Sequence, residues 1–112
     1  MAYNINGTNY DFAVPMLIDG TTYVPLGNVS DALGGIAEWD NMAKIATVEL
    51  GDRKVRVQAD NATVETPEGQ YTLQATPFIE NNTLWVPVRF FQEVLNANMS
   101  VDGENITLNR NF

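Results

Sequence analysis

At 112 residues the chain is the size of one domain, long enough to bury a core of its own. Six basic residues against fourteen acidic ones give a net charge of −8, which disfavours phosphate backbones and anionic membrane surfaces. Cysteine and histidine are absent, so thiol chemistry, disulfides, imidazole base catalysis and most transition-metal sites are excluded. No apolar run approaches the ~18 residues of a membrane span, and no signal peptide is visible.

Residues 2 to 12 read as a hairpin: Tyr3 and Ile5 alternate with polar residues, Asn6-Gly7 makes a tight turn, and Tyr10 and Phe12 resume the alternation. A short apolar stretch, 14 to 18, ends at Asp19-Gly20, and Thr22 to Val24 returns as a strand into Pro25. Asn28 to Leu33 then predicts a short helix, with Val29, Ala32 and Leu33 on one face and Gly34-Gly35 as its C-cap. After Trp39-Asp40 the period becomes two. Ile45 to Leu50 and Val55 to Val57 are strands around Gly51-Asp52, and 62 to 66 and 70 to 73 form a second hairpin around Pro67-Glu68-Gly69. A Pro77-led strand, a turn at Asn81-Asn82, Thr83 to Val86, a helix over Arg89 to Leu95 and a closing strand from Asn105 to Leu108 complete the chain.

The second half repeats the first. Residues 15 to 40 align without a gap on 77 to 102, a period of 62. Val24, Pro25, Leu33 and Asp40 recur as Val86, Pro87, Leu95 and Asp102; Tyr23 becomes Trp85, Gly27 becomes Arg89 and Trp39 becomes Val101. Short helices cannot bury a face alone, and strands joined by tight turns are antiparallel. The expected fold is α+β: an antiparallel meander sheet with two short helices packed on it. It forms a single domain, 1–112, built from repeats 1–60 and 61–112 about an approximate two-fold axis. Val24 and Val86 are expected to be buried beside their helices.

The phrase Asp-Gly-Thr-Thr-Tyr-Val-Pro-Leu (19–26), followed by Ala-Leu-Gly-Gly (32–35) and Trp-Asp (39–40), resembles the copper amine oxidase N-terminal domain-like family. So does its echo, Asn-Asn-Thr-Leu-Trp-Val-Pro-Val-Arg-Phe (81–90), with Val-Leu-Asn-Ala (94–97) and Val-Asp (101–102). The resemblance covers nearly the whole chain. It implies a stalk domain remote from the oxidase's copper and quinone, and relatives in secreted or envelope proteins of Gram-positive bacteria beside cell-wall modules. It also implies an antiparallel meander with helices on one side. The chain departs from the family pattern at Gly27, where Arg is usual, at Val101 in place of the second Trp, and at Asn96-Ala97 in place of the second Leu-Gly-Ala.

The motif residues Val24, Pro25, Leu33, Trp39, Asp40, Trp85, Val86, Pro87, Arg89, Leu95 and Asp102 are therefore expected to be structural. Trp39 and Trp85 are expected in the helix–sheet core, since large aromatics dominate burial; the competing reading is a sugar-stacking surface. Arg89 is placed to pair with Glu93, Asp102 or Asp40. The Asn9-Tyr10-Asp11 tripeptide resembles the oxidases' quinone precursor, but the copper-binding histidines are missing. The acidic turns suggest only calcium as a metal and lack the EF-hand spacing; turn chemistry explains them. Six Asn-x-Ser/Thr sequons begin at Asn6, Asn28, Asn61, Asn81, Asn98 and Asn105.

No catalytic residue, cofactor or metal ligand is identified. The expected function is a non-catalytic extracellular or cell-envelope module, structural or stalk-like, with itself as partner through edge strands. The alternative is a carbohydrate- or peptidoglycan-binding module beside a hydrolase. Neither nucleic acid nor membrane insertion is expected. Phe112 is read as an apolar plug for a neighbouring copy.

Overall fold

A computed structural model describes residues 2–103 and 105–110. The chain opens with β1 (Ala2–Ile5), β2 (Thr8–Tyr10), β3 (Met16–Ile18) and β4 (Thr21–Pro25), then α1 (Leu26–Ala32). β5 (Ile36–Asp40), β6 (Ile45–Leu50), β7 (Arg53–Gln58), β8 (Thr63–Thr66) and β9 (Gly69–Thr72) follow. β10 (Phe78–Glu80), β11 (Thr83–Pro87), α2 (Arg89–Glu93), β12 (Asn98–Asp102) and β13 (Asn105–Asn109) close the chain.

The hairpin tips follow from residue type. Two-residue turns whose twist suits antiparallel strands need positive φ at both central positions. Asn6-Gly7, Asp19-Gly20 and Asn81-Asn82 supply it, at 52° and 84°, 49° and 81°, and 53° and 59°. Pro25 and Pro87 each end a strand at the start of a helical segment. Pro25 takes φ −72° and ψ 121° at the N-cap of α1, the fixed φ of proline suiting that position. After Pro87, the Val88 N–H donates to the Thr22 carbonyl at 2.8 Å, tying the second corner to the first half. The start of α1 therefore lies two residues before the expected one. At its other end Gly34, at φ 95°, donates to the Asp31 carbonyl and Gly35 to that of Ser30, a Schellman cap. α2 ends earlier than expected, and Asn96 at φ 60° takes the left-handed position that Gly34 holds after α1.

The protein is mostly β, with two short helices and three sheets. The meander sheet runs β5-β6-β7-β8-β9, each strand antiparallel to the next. The central sheet runs β10-β11-β4-β3, with Val86 of β11 directly opposite Val24 of β4. The terminal sheet runs β12-β13-β1-β2. A single antiparallel meander is thus replaced by three sheets, and one pair, β1 with β13, is parallel. The reason is that β1 and β13 are the first and last strands. No turn joins them, so packing alone sets their direction.

One core cluster draws on both halves. β6 and β7 alternate as expected, sending Ala46, Val48, Leu50, Val55 and Val57 inward. Val29 and Leu33 beside α1, and Phe90, Phe91 and Leu95 beside α2, are fully buried with Val24 and Val86. Phe90 and Phe91 meet edge to face at 5.1 Å. β1 and β13 are inner strands of their own sheet, so the order of the two terminal strands lends no support to a neighbouring copy. Phe112 lies outside the described residues.

The expected core role of Trp39 is corrected: its relative exposure is 44 %. β5 is the edge of the meander sheet, and every one of its residues is exposed. Trp85, on an inner strand, is buried as expected, and its indole N–H donates to the Glu80 carbonyl at 3.4 Å.

Candidate functional site

A groove of about 450 Å³ opens where the start of α1, the edge strand β5 and the β10–β11 turn converge. Pro25 delivers Leu26 and Gly27 to its wall. β5 contributes Ala37, Glu38 and Trp39, and the hairpin tip contributes Asn82 and Thr83. Trp39 pairs in register with Ala46 of β6, so its indole sits on the inward face of the sheet but beyond the packed core. The small Ala46 side chain leaves room beneath it; Leu84 and Ile79 form the rest of the apolar surface.

Asp40 organises the rim. Its Oδ1 accepts from the Met42 N–H at 3.0 Å and from the Ala43 N–H at 3.2 Å, closing the turn between β5 and β6. That turn carries Lys44 at φ 58°, and the Lys44 Nζ donates to Asn41 Oδ1 at 3.0 Å. Asn28, Asn82 and Glu38 make no side-chain hydrogen bond or ion pair among the described residues. The groove therefore offers one aromatic face, two amides without a partner among the described residues, one carboxylate and one ammonium. Groups of these kinds are complementary to a polar ligand with an apolar face.

A smaller recess, of about 150 Å³, lies where the start of α2 meets the β3–β4 turn, between Gly20, Thr22, Arg89, Phe90 and Glu93. Arg89 is exposed, and among the described residues it forms no ion pair with Glu93, Asp102 or Asp40. Asp102 is exposed too. Of the other motif residues, Val24, Leu33, Val86 and Leu95 are fully buried, and Pro25, Pro87 and Trp85 are buried. They frame the central sheet and do not gather into a site. Tyr10 stacks on Phe12 with ring centroids 5.1 Å apart, half-buried at the edge of the terminal sheet. Among the described residues no three acidic side chains gather where they could hold a metal ion. Five sequon asparagines lie on the surface beside exposed or half-buried hydroxyls; at Asn28 the partner Ser30 is buried.

Perturbed ionisation lies away from the groove. Burial raises the Tyr3 phenol far above its ordinary value, and its hydroxyl donates to the Ala13 carbonyl. Burial, and then the charge of Asp19, raise Tyr23, whose hydroxyl donates to the Thr76 carbonyl at 3.0 Å. Both phenols tie a strand to a loop across the core.

Of the groove residues, the motif singled out only Trp39. The others lie on four elements far apart in sequence. One signal was available: glycine at 27 where the family carries arginine.

The geometry defines a small β domain with an open recess at a sheet edge. The copper amine oxidase N-terminal domain matches residues 4–109, and the chain belongs to that family. It is also similar to a protein from Brevibacillus choshinensis named "Protease inhibitor", at 28 % identity over 111 residues and 96 % of this chain. The chain spans 33 % of that relative's length.

Proposed function

We propose that the domain is a non-catalytic module of the extracellular space or cell envelope that holds a glycan in the groove beside Trp39. The half-exposed indole carries this reading: it lines an open groove together with the Asn28 and Asn82 amides. A pyranose ring has an apolar face to stack and hydroxyls to bond, and an exposed tryptophan with amides matches both. The groove's size falls within the ~300–1,000 Å³ of small-molecule sites. The supporting frame, on this reading, is two copies, 1–60 and 61–112, turned about the Val24–Val86 pair. The matching β3–β4 and β10–β11 hairpins support it.

Sedimentation with insoluble polysaccharides and peptidoglycan sacculi tests the proposal. The parent should co-sediment and Trp39→Ala should stay in solution while melting like the parent. A parent that binds none of them, or a Trp39→Ala variant that binds equally, ends it.

The stalk-like, self-assembling reading is supported by β5 and β12, which are edge strands of two different sheets and consist mostly of exposed residues. Light scattering at high concentration decides it: a strictly monomeric mass removes it. A protease-directed role, taken from the name of the Brevibacillus relative, would fall on the β5–β6 turn, where Met42 is 94 % exposed. A protease panel run with Met42→Asp tests that role.

A further inference from the structure

We infer that the ligand of the groove is an uncharged glycan bearing N-acetyl groups, and that Gly27 is the residue that admits it. This inference rests on the glycan reading above.

Gly27 is the second residue of α1 and lies on the groove wall. A Cβ built there meets no atom within 4 Å, so the glycine is not demanded by packing. Its φ is not in the left-handed region either, so the backbone does not require it. What its missing side chain leaves is space. The equivalent place after Val88 is filled by Arg89, and the recess there is about 150 Å³ against about 450 Å³ beside Gly27. The Trp39 position has Val101 as its counterpart. An open corner and an aromatic platform thus coincide at the start of α1 and not at the start of α2.

The polar groups narrow the ligand. Glu38 and Lys44 are one negative and one positive charge, and Lys44 is already bonded to Asn41. A chain of net charge −8 repels a polyanion at every distance within the Debye length. An uncharged chain meets no such barrier. An acetamido group presents an N–H, a carbonyl and a methyl. Asn28 and Asn82 each hold a donor and an acceptor without a partner among the described residues. Ala37, Ala46 and Leu84 provide an apolar floor that a methyl covers and a hydroxyl does not.

The test titrates the full chain with an N-acetylglucosamine tetramer, a glucose tetramer of the same linkage and an oligouronate, read by calorimetry and by tryptophan fluorescence. The acetylated tetramer should bind about tenfold more tightly than the plain one, the scale of one hydrogen-bonded pair. The oligouronate should not bind. Gly27→Arg should abolish binding with an unchanged melting curve, whereas Gly27→Ala should bind within about twofold of the parent. Should Gly27→Arg fail to fold, Asn82→Gly serves instead. It keeps the positive φ, removes the amide and should erase most of the acetyl preference. Equal binding of the two neutral tetramers overturns the N-acetyl assignment and leaves the glycan reading standing. Tighter oligouronate binding overturns the neutral class. Parent-like binding by Gly27→Arg overturns the role of Gly27. Binding of no sugar at all takes both readings down.

Discussion

The two helix corners of this domain share a Val-Pro sequence and differ in what they do with the space beyond it. After Pro25 come Leu26 and Gly27, with Trp39 standing half-exposed over an open groove. After Pro87 come Val88 and Arg89, beside a recess a third as large, of about 150 Å³ against 450 Å³. The buried half of each corner is alike: Val24 and Val86 face each other at full burial, and Tyr23 and Trp85 are both 5 % exposed. The difference lies at the surface, where a change of side chain costs the fold little. A scaffold can therefore keep its frame while opening one corner and closing the other.

The sharpest way to break this comparison is to truncate each tryptophan. Trp85→Ala should cost about 3–5 kcal/mol in denaturant melts, because it leaves a large cavity between the central strands. Trp39→Ala, at an exposed edge, should stay within about 1 kcal/mol of the parent. Comparable losses in the two variants would mean that Trp39 is a core residue after all.

A smaller effect should separate the two helix ends. α2 is held by Arg53, whose Nε donates to the Val94 carbonyl at 2.9 Å while its fork meets Glu68 through two bonds of 2.9 Å. α1 relies on its Schellman cap instead. Arg53→Ala should destabilise the domain by about 1–2 kcal/mol, chiefly through the lost carbonyl bond and packing, since an exposed ion pair adds little. Arg53→Lys should fall between the two. The hydrogen bond from Arg53 holds the Glu68 carboxyl below its ordinary 4.5. Its contribution is present above that value and is lost as pH falls through the lower folded pKa. Acid titration of stability should therefore be shallower in Arg53→Ala than in the parent. Parallel acid profiles would show that the pair contributes nothing.

The smallest contrast concerns the caps. Gly34→Ala should cost about 1–2 kcal/mol, since φ is 95°. The new Cβ would also stand 2.9 Å from the Arg110 guanidinium. Asn96→Gly, at φ 60°, should change stability by no more than about 0.5 kcal/mol in either direction, measured by the same melts. A large loss there would show that the Asn96 side chain has a role beyond its backbone.

Much of the frame is legible in the sequence. Asn6-Gly7, Asp19-Gly20 and Asn81-Asn82 marked hairpin tips because few residues tolerate positive φ. Val55 and Val57 marked an inward face because strand side chains alternate. Gly34 marked the end of α1. These are local signals, carried by a few adjacent residues. Trp39 was misjudged because residue type measures the tendency to be buried, whereas exposure depends on the place of β5 in its sheet, and edge position is not a local property.

The chain by itself determined its turns, its two short helices, its buried Val-Pro corners and its family, through backbone conformation and alternation that neighbouring residues enforce. Only the tertiary structure decided that β1 lies parallel to β13, that three sheets form where one was expected, and that Gly27, Asn28, Trp39 and Asn82 line one groove. Those facts depend on which distant surfaces pack together. Such packing is selected by the shape and burial of the whole core, and no single stretch of the sequence contains it.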